Sequence, residues 1–390
     1  MVAAHAQGPL TGIRVIELGG IGPVPFACML LADLGADVVR IDRPPGFDGG
    51  APVDRRFDPT YRSRRSAALD LTNPTAVEAV LAMVGQADVL VEGLRPGVTE
   101  RLGVGPEACH AINPRLIYGR MTGWGQDGPL ARAPGHDVNY IAVTGALHAI
   151  GSAGGPPVPP LNLVGDFGGG ALYLVVGVLS ALVERARSGH GQVIDAAMVD
   201  GAASLMATTY GMHAAGYWTD ARGSNRLDSG APFYNVYETS DGQWLGVGSN
   251  EARFWRNTLA LLGIDERDAP DQHDRSRWPE LRERFAAVFR TRTREEWLAL
   301  AAGQEVCISP VLSMADAPHH PHLVARQTFV EHDGYPQPAP APRFSRTPGA
   351  ISGTSPQPGQ HTDAALTDFG VCAELLERLH ASGAIAVPSP

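Results

Sequence analysis

Two short stretches carry residues suited to proton transfer, and each runs into an apolar segment with helical character. The first is Pro134, Gly135, His136 and Asp137, followed by VNYIAVTGALHAI; the second is NLVGDFGGG, residues 162–170, followed by ALYLVVGVLSALVERA. A helix start offers free backbone N–H groups and partial positive charge. An imidazole and a carboxylate held there suit proton removal beside a developing oxyanion. Taken singly, Asp137 and Asp166 are more often helix caps than catalytic groups, and His136 a first-turn surface residue. The glycines at 168–170 tilt the balance toward chemistry, because they let backbone approach a ligand closely. The helix-start field opposes proton donation by Asp166. Burial among Leu163, Val164 and Phe167 must therefore raise its pKa again.

The elements that must position these residues alternate. Residues 13–18 (IRVIEL) read as a strand, GGIGPVP as a turn, FACMLLADLGADV as a helix and VVRID as a strand. AVEAVLAMVGQ, ADVLVEG and RLIYGRMTG continue as helix, strand and strand. Alternation of this kind implies a Rossmann-like parallel sheet with ligand-binding loops at the strand C-termini. VIDAAMVDGAASLMATTYGMHAAG reads as one further helix. After about residue 225, PFYNVYET and QWLGVGS alternate as a β-hairpin turning at Asp241 and Gly242, and Asn250 reads as the cap of EARFWRNTLALLG. The fold class is α/β: a large sheet domain plus a small α+β domain. The divisions expected are 1–190 (large domain), 191–224 (linker helix), 225–325 (small domain) and 326–390 (an extended proline-rich return and a C-terminal helix pair).

Composition narrows the chemistry. With 390 residues and 44% hydrophobic content the chain buries a large core. A net charge of −10 argues against nucleic acid as the partner. All 31 cationic side chains are arginine, so a Schiff-base lysine and a Walker A lysine are both excluded. Cys28, Cys109, Cys307 and Cys372 are scattered without metal spacing and fit a reducing, cytoplasmic setting. The N-terminus lacks a signal-peptide pattern, and the longest apolar stretch, residues 171–183, is too short to span a bilayer. No membrane association is expected.

Several tempting motifs have plain explanations. GGIGPVP imitates a dinucleotide fingerprint, but Pro25 replaces the third glycine, where the helix must pack on the strand. The cluster His319, His320 and His322 has neither metal spacing nor a carboxylate at ligand distance. Arg55, Arg56, Arg62, Arg64 and Arg65 form a dense cationic run in an acidic chain. Such a run is commonly a solvated face, but guanidinium forks also suit the phosphates of a nucleotide ligand such as coenzyme A.

GPLTGIRVIEL, LADLGADVVRIDRP, ADVLVEGLRPGVTERLG, RLIYGRMTGWGQDGP, GHDVNY, PPLNLVGDFGGG, GQVIDAAMVDG and APRFSRTPG cover nearly the whole chain. Together they resemble the class III CoA-transferase superfamily. GHDVNY with NLVGDFGGG resembles its α-methylacyl-CoA racemase branch. The resemblance implies paired bases at His136 and Asp166, with Glu251 supporting the histidine side. It implies acyl-CoA contacts at Arg43, at Leu69, Asp70, Leu71 and Thr72, at Gly93, Leu94 and Arg95, at Arg101, and at Gly135, Val138, Asn139 and Tyr140. It also implies an interlocked homodimer and a reaction without metal or redox cofactor, in which coenzyme A enters only as part of the substrate. The expected function is interconversion of (2R)- and (2S)-2-methylacyl-CoA thioesters, a step of lipid metabolism. The alternative is a CoA-transferase in which Asp137 is the nucleophile and becomes an aspartyl-CoA thioester. A third reading, a CoA-binding protein without chemistry, predicts binding without isotope exchange. Met198, Met206, Met212, Tyr210 and Trp218 are candidates for an adaptable acyl surface.

Overall fold

A computed structural model describes residues 7–44 and 54–385. In chain order it contains β1 (Arg14–Leu18), α1 (Pro23–Asp33), β2 (Asp37–Asp42), β3 (Arg65–Ala68), α2 (Pro74–Val84), β4 (Val89–Glu92), α3 (Val98–Arg101), α4 (Pro106–Ile112), β5 (Ile117–Thr122), α5 (Asp137–Val143) and α6 (Ala146–Ala149). A wide π-type helix, Leu163–Ala171, leads without a break into α7 (Leu172–Ser188). Then follow β6 (Val193–Ala197), α8 (Met198–Leu205), α9 (Ala207–Ala214), β7 (Tyr234–Glu238), β8 (Trp244–Gly248), α10 (Ala252–Leu261), α11 (Trp278–Phe289), α12 (Arg294–Ala301) and β9 (Ile308–Pro310). The chain closes with α13 (Pro321–Ala325), β10 (Phe329–His332), β11 (Tyr335–Pro338), α14 (Thr362–Asp368) and α15 (Ala373–Ala381).

Six strands form a parallel sheet in the order β3-β2-β1-β4-β5-β6. Side chains alternate across it, as the two-residue period of a strand requires. Val15, Val38, Val89, Val91 and Ile117 face α1 and α7, while Ile16, Val39, Leu90 and Tyr118 face α2, α14 and α15. Strand order reverses between β1 and β4, and the loops that leave their carboxyl ends diverge there. That crevice is where open α/β sheets bind ligands.

The chain separates into two compact units. One takes the chain through Thr144, then Leu161–Leu205, then from Gln327 onward; the other takes Gly145–Pro160 and Met206–Arg326. The second unit packs a three-stranded antiparallel sheet, β7-β8-β9, around Phe233, Trp255, Trp278, Phe285, Phe289 and Trp297. Its hairpin turns through Asp241 and Gly242, which has φ +70°, as the sequence predicts.

Three expectations change. VIDAA is not helical: it is β6, the sixth strand, because its β-branched residues pair with β5. Apart from Arg56, which is exposed beside Asp54, the arginine run is neither a solvated face nor an open phosphate site. Arg62 is buried against Asp33 (2.6 Å), Arg64 against Glu17, and Arg55 pairs with Asp42 (2.6 Å) and Arg65 with Asp37 (2.9 Å). A buried guanidinium requires a carboxylate partner, and those partners lie on β1, α1 and β2, distant in sequence. The apolar stretch at 171–183 also belongs to a longer helix. With the π-type segment it spans Leu163–Ser188, 26 residues, long and apolar enough by length and composition to cross a membrane. In this fold Leu174, Val175, Val178 and Ala181 are buried on the parallel sheet side, and Arg185 pairs with Asp88 at 2.8 Å.

Candidate active site

The crevice holds a cavity of about 380 Å³. Its walls include the turn from β1 into α1 (Ile21 to Val24), the loop leaving β4 (Gly93 to Pro96) and the end of β5 with the residues after it (Met121 to Trp124), together with Pro134, Gly135, His136, Tyr140, Asp166 and Met198. His136 and Asp166, thirty residues apart in sequence, therefore face one space. A neighbouring cavity of about 390 Å³ lies over the carboxyl ends of β1, β2 and β3. Arg43, Leu69, Asp70, Leu71, Thr72, Leu94 and Leu102 line it. Leu94 belongs to both cavities.

His136 precedes α5, and its backbone N–H donates to Asn139 Oδ1 at 3.0 Å, which fixes the entry to the helix. Helix α5 ends after seven residues, at a break where Gly145 has φ +76°. The expected single helix through residue 150 is thus two short ones, and the dipole at His136 is that of two turns. Tyr140 sits one turn further on. Its hydroxyl donates to the Gly135 carbonyl, and its ring meets Trp124 edge-on at 4.8 Å. Side chains at Gly123 or Gly135 would collide with that ring, so both positions must be bare.

Asp137 does not line the cavity. Its carboxylate is buried, and Oδ2 accepts the backbone N–H groups of Gly165 and Asp166, each at 2.7 Å. It ties the two chemistry-bearing stretches together. Charge-assisted bonds of this kind are about twice as strong as neutral ones.

Asp166 lies within the π-type helix, not in a loop ahead of a helix. The widened turn aims its carboxylate at the entry to α1. There Gly22, at φ +64°, leaves room that a Cβ would fill to within 2.8 Å of Oδ2. Asn162 Nδ2 donates to the same oxygen at 3.2 Å. Burial pushes the Asp166 carboxyl above its ordinary value; Asn162 pulls it down, Asp137 pushes it up and His136 lowers it. The rise is in the direction the two-base scheme requires and burial is its main cause, although Leu163 itself is 56% exposed. The three glycines also act differently. Gly169 and Gly170 approach α8 rather than a ligand, with a Cβ on Gly201 falling 1.8 Å from the Gly169 carbonyl oxygen.

The other residues implied by resemblance divide among these surfaces. Gly93, Leu94, Arg95, Gly135 and Tyr140 line the first cavity, and Arg43 with residues 69–72 the second. Arg101 ends α3, beside Leu102 of the second cavity, without lining either. Val138 and Asn139 on α5 line neither cavity, and Asn139 turns its Oδ1 back to the His136 N–H. Glu251, rather than the expected Asn250, occupies the N-cap position of α10 in the second unit, without a side-chain cap bond. Met198 lines the first cavity, whereas Met206, Tyr210 and Trp218 line a separate cavity of about 330 Å³ in the second unit, and Met212 lines neither. Sequence reading missed Met121, Thr122 and Trp124. The signal was available: Met121 and Thr122 end the strand IYGRMT and Trp124 directly follows it, at the carboxyl end where parallel sheets place their sites.

The model of CoA-transferase family III matches residues 10–362. The chain is 43% identical over 373 residues to alpha-methylacyl-CoA racemase of Mus musculus, covering 95% of this chain and 96% of that protein. It is 40% identical to alpha-methylacyl-CoA racemase of Homo sapiens, again over 95% of this chain and 96% of that one. Among solved structures, a CAIB/BAIF family protein from Brucella suis superposes with a TM-score of 0.81 at 28% identity, covering 93% of this chain and all of that one. A family match across nearly the whole chain, on a sheet whose switch-point cavity is lined by both His136 and Asp166, has one meaning: this chain belongs to CoA-transferase family III.

Proposed function

We propose that this protein is an acyl-CoA epimerase, an isomerase that inverts the α-carbon of 2-methylacyl-CoA thioesters by 1,1-proton transfer. One observation carries the reading. His136 and Asp166 line the same cavity, while Asp137, the nucleophile of the transferase alternative, is buried outside it and holds two backbone N–H groups. Two bases facing one carbon suit inversion; a sequestered carboxylate does not suit attack on a thioester.

A thioester α-proton is weakly acidic, so the negative charge must be stabilised as it moves onto the thioester oxygen. The N–H of Asp137, first in its helix, has no intrahelical acceptor and is the donor for that oxygen. His136 removes the proton from one face and Asp166 delivers one to the other. The raised Asp166 carboxyl holds its proton to higher pH than an exposed aspartate would, which suits that delivery. In the reverse direction the roles exchange. The second cavity takes the nucleotide end of coenzyme A, with Arg43 beside its phosphates, and Arg95 and Arg101 assist along the path. Glu251 supports the histidine side from the second unit of a partner chain in an interlocked homodimer. Exposed apolar residues on α7 (Leu172, Val176 and Val183) are consistent with such a partner. Four free cysteines agree with a cytoplasmic location.

The test is incubation with (2S)-2-methylacyl-CoA in deuterium oxide, followed by NMR and chiral analysis. Deuterium at the α-carbon in both epimers is the expected result. No exchange with any of several branched acyl chains would overturn the reading.

A further inference from the structure

Glu92, the last residue of β4, is fully buried and takes no part in the proton transfers. Its register neighbours are the apolar Leu18 on β1 and Arg120 on β5. One carboxylate oxygen accepts the backbone N–H of Leu94 at 2.7 Å, and the other accepts Arg120 Nε at 3.0 Å. The remaining nitrogens of Arg120 reach Glu100 on α3, at 2.8 and 3.3 Å. A single guanidinium thus joins the start of the 93–100 segment to its end. Between those anchors, Gly93 to Pro96 form a wall of the first cavity, and Leu94 lines the second as well. Gly93 is pressed on Val24 of α1, where a Cβ would come within 2.8 Å, so the loop has no room to relax inward.

We propose that Glu92 is a positioning residue for acyl-CoA binding: through Leu94 and Arg120 its carboxylate holds the 93–96 loop in the shape that joins the two cavities. The proposal rests on the reading of those cavities as the thioester site.

The charged groups facing Glu92 are Arg120 from β5 and Glu100 from α3; Tyr118 of β5 shares the face, and β1 contributes none there. Burial pushes the Glu92 carboxyl up to about 7, against the pull of the Leu94 N–H and Arg120. A protonated carboxyl is a poorer acceptor for both donors. The hold on the loop therefore weakens as pH falls through that value, and coenzyme A binding weakens with it.

Calorimetric titration of the full-length protein with free coenzyme A, across about pH 6 to 8.5, tests this without turnover. The unmodified protein is expected to bind more tightly as pH rises through about 7. Glu92→Gln, which keeps the shape and one acceptor oxygen, is expected to bind about tenfold more weakly at the upper end and to lose that step. Glu100→Gln, at the exposed end of the same chain of contacts, is expected to bind about threefold more weakly with the step retained. The step persisting unchanged in Glu92→Gln would overturn the proposal alone, as would full affinity in Glu100→Gln if the first variant does not fold. No coenzyme A binding by the unmodified protein would overturn the thioester reading and the proposal with it.

Discussion

At the scale of single residues, the two carboxylates of the site do different work because their surroundings differ. Asp166 faces the cavity with one side-chain donor, Asn162, and burial raises its carboxyl above the ordinary value; Asp137 is turned inward onto two backbone N–H groups. His136→Ala and Asp166→Ala should each lower epimerisation by about two to four orders of magnitude, as is usual for general acid and base groups. Full activity in both, measured by chiral chromatography, would end the two-base account. The sign of the pH dependence follows from the raised Asp166 carboxyl. Exchange that needs Asp166 as a base falls as pH drops through that raised value, at higher pH than an exposed aspartate would give. Asp166→Asn should remove this limb from the rate profile. Asp137→Asn separates epimerase from transferase. An amide still accepts the two N–H groups, so exchange should survive at about a tenth of the parent rate or better, whereas a nucleophile would be lost outright.

At the scale of elements, close backbone contacts decide where the carboxylates sit. The π-type helix packs on α8 through Gly169 and Gly201, and the entry to α1 comes up to Asp166 at Gly22. Gly201→Ala forces two backbones apart and should cost about 1 to 3 kcal/mol or more, read as a lowered Tm. Gly22→Ala places a methyl against the Asp166 carboxylate, at a backbone angle that L-residues rarely adopt. Its expected signature is a fall in kcat larger than the fall in Tm explains. Equal losses in both variants would mean that Gly22 is merely a turn residue. The strand-to-helix alternation behind this arrangement was legible from β-branched runs such as IRVIEL, although α1 starts at Pro23, inside the stretch read as a turn. The π-type widening was not, because nothing in LVGDFGGGA distinguishes it from a loop until α8 packs beside it.

For the whole molecule, the parallel sheet carries acidic and basic groups into its interior and pairs them there. Glu17 meets Arg40 and Arg64, Asp42 meets Arg40 and Arg55, and Asp33 meets Arg62. Glu92 is the member whose burial is least compensated. Its carboxyl rises from 4.5 to about 7 on folding, so its stabilising contribution is complete below 4.5 and lost as pH rises through about 7. The shift corresponds to roughly 3 kcal/mol. The Tm of Glu92→Gln relative to the unmodified protein should therefore rise steadily between about pH 5 and 8. A constant difference would show that Glu92 titrates as an ordinary surface glutamate. A stability cost kept at a binding loop is the usual sign of a group retained for function. In solution the proposed homodimer should sediment at twice the chain mass, and substitution of Val176 and Val183 by aspartate should lower that mass along with activity.

The sequence by itself determined the element alternation, the sheet class, the family and the two stretches that carry the proposed bases, because these depend on local periodicity and on residues adjacent in the chain. His136 and Asp137 are neighbours, and their spacing from a helix start is readable. What only the tertiary structure decided is which groups meet. Arg62 and Asp33, or Glu92 and Arg120, are joined by strand order, which no local pattern encodes. The inward turn of Asp137, the use of the glycines at 169 and 201 for helix packing, and the burial of Asp166 by the entry to α1 follow from the same cause. Each is a contact between segments brought together by the sheet, and a side chain's chemistry is set by those contacts as much as by its type.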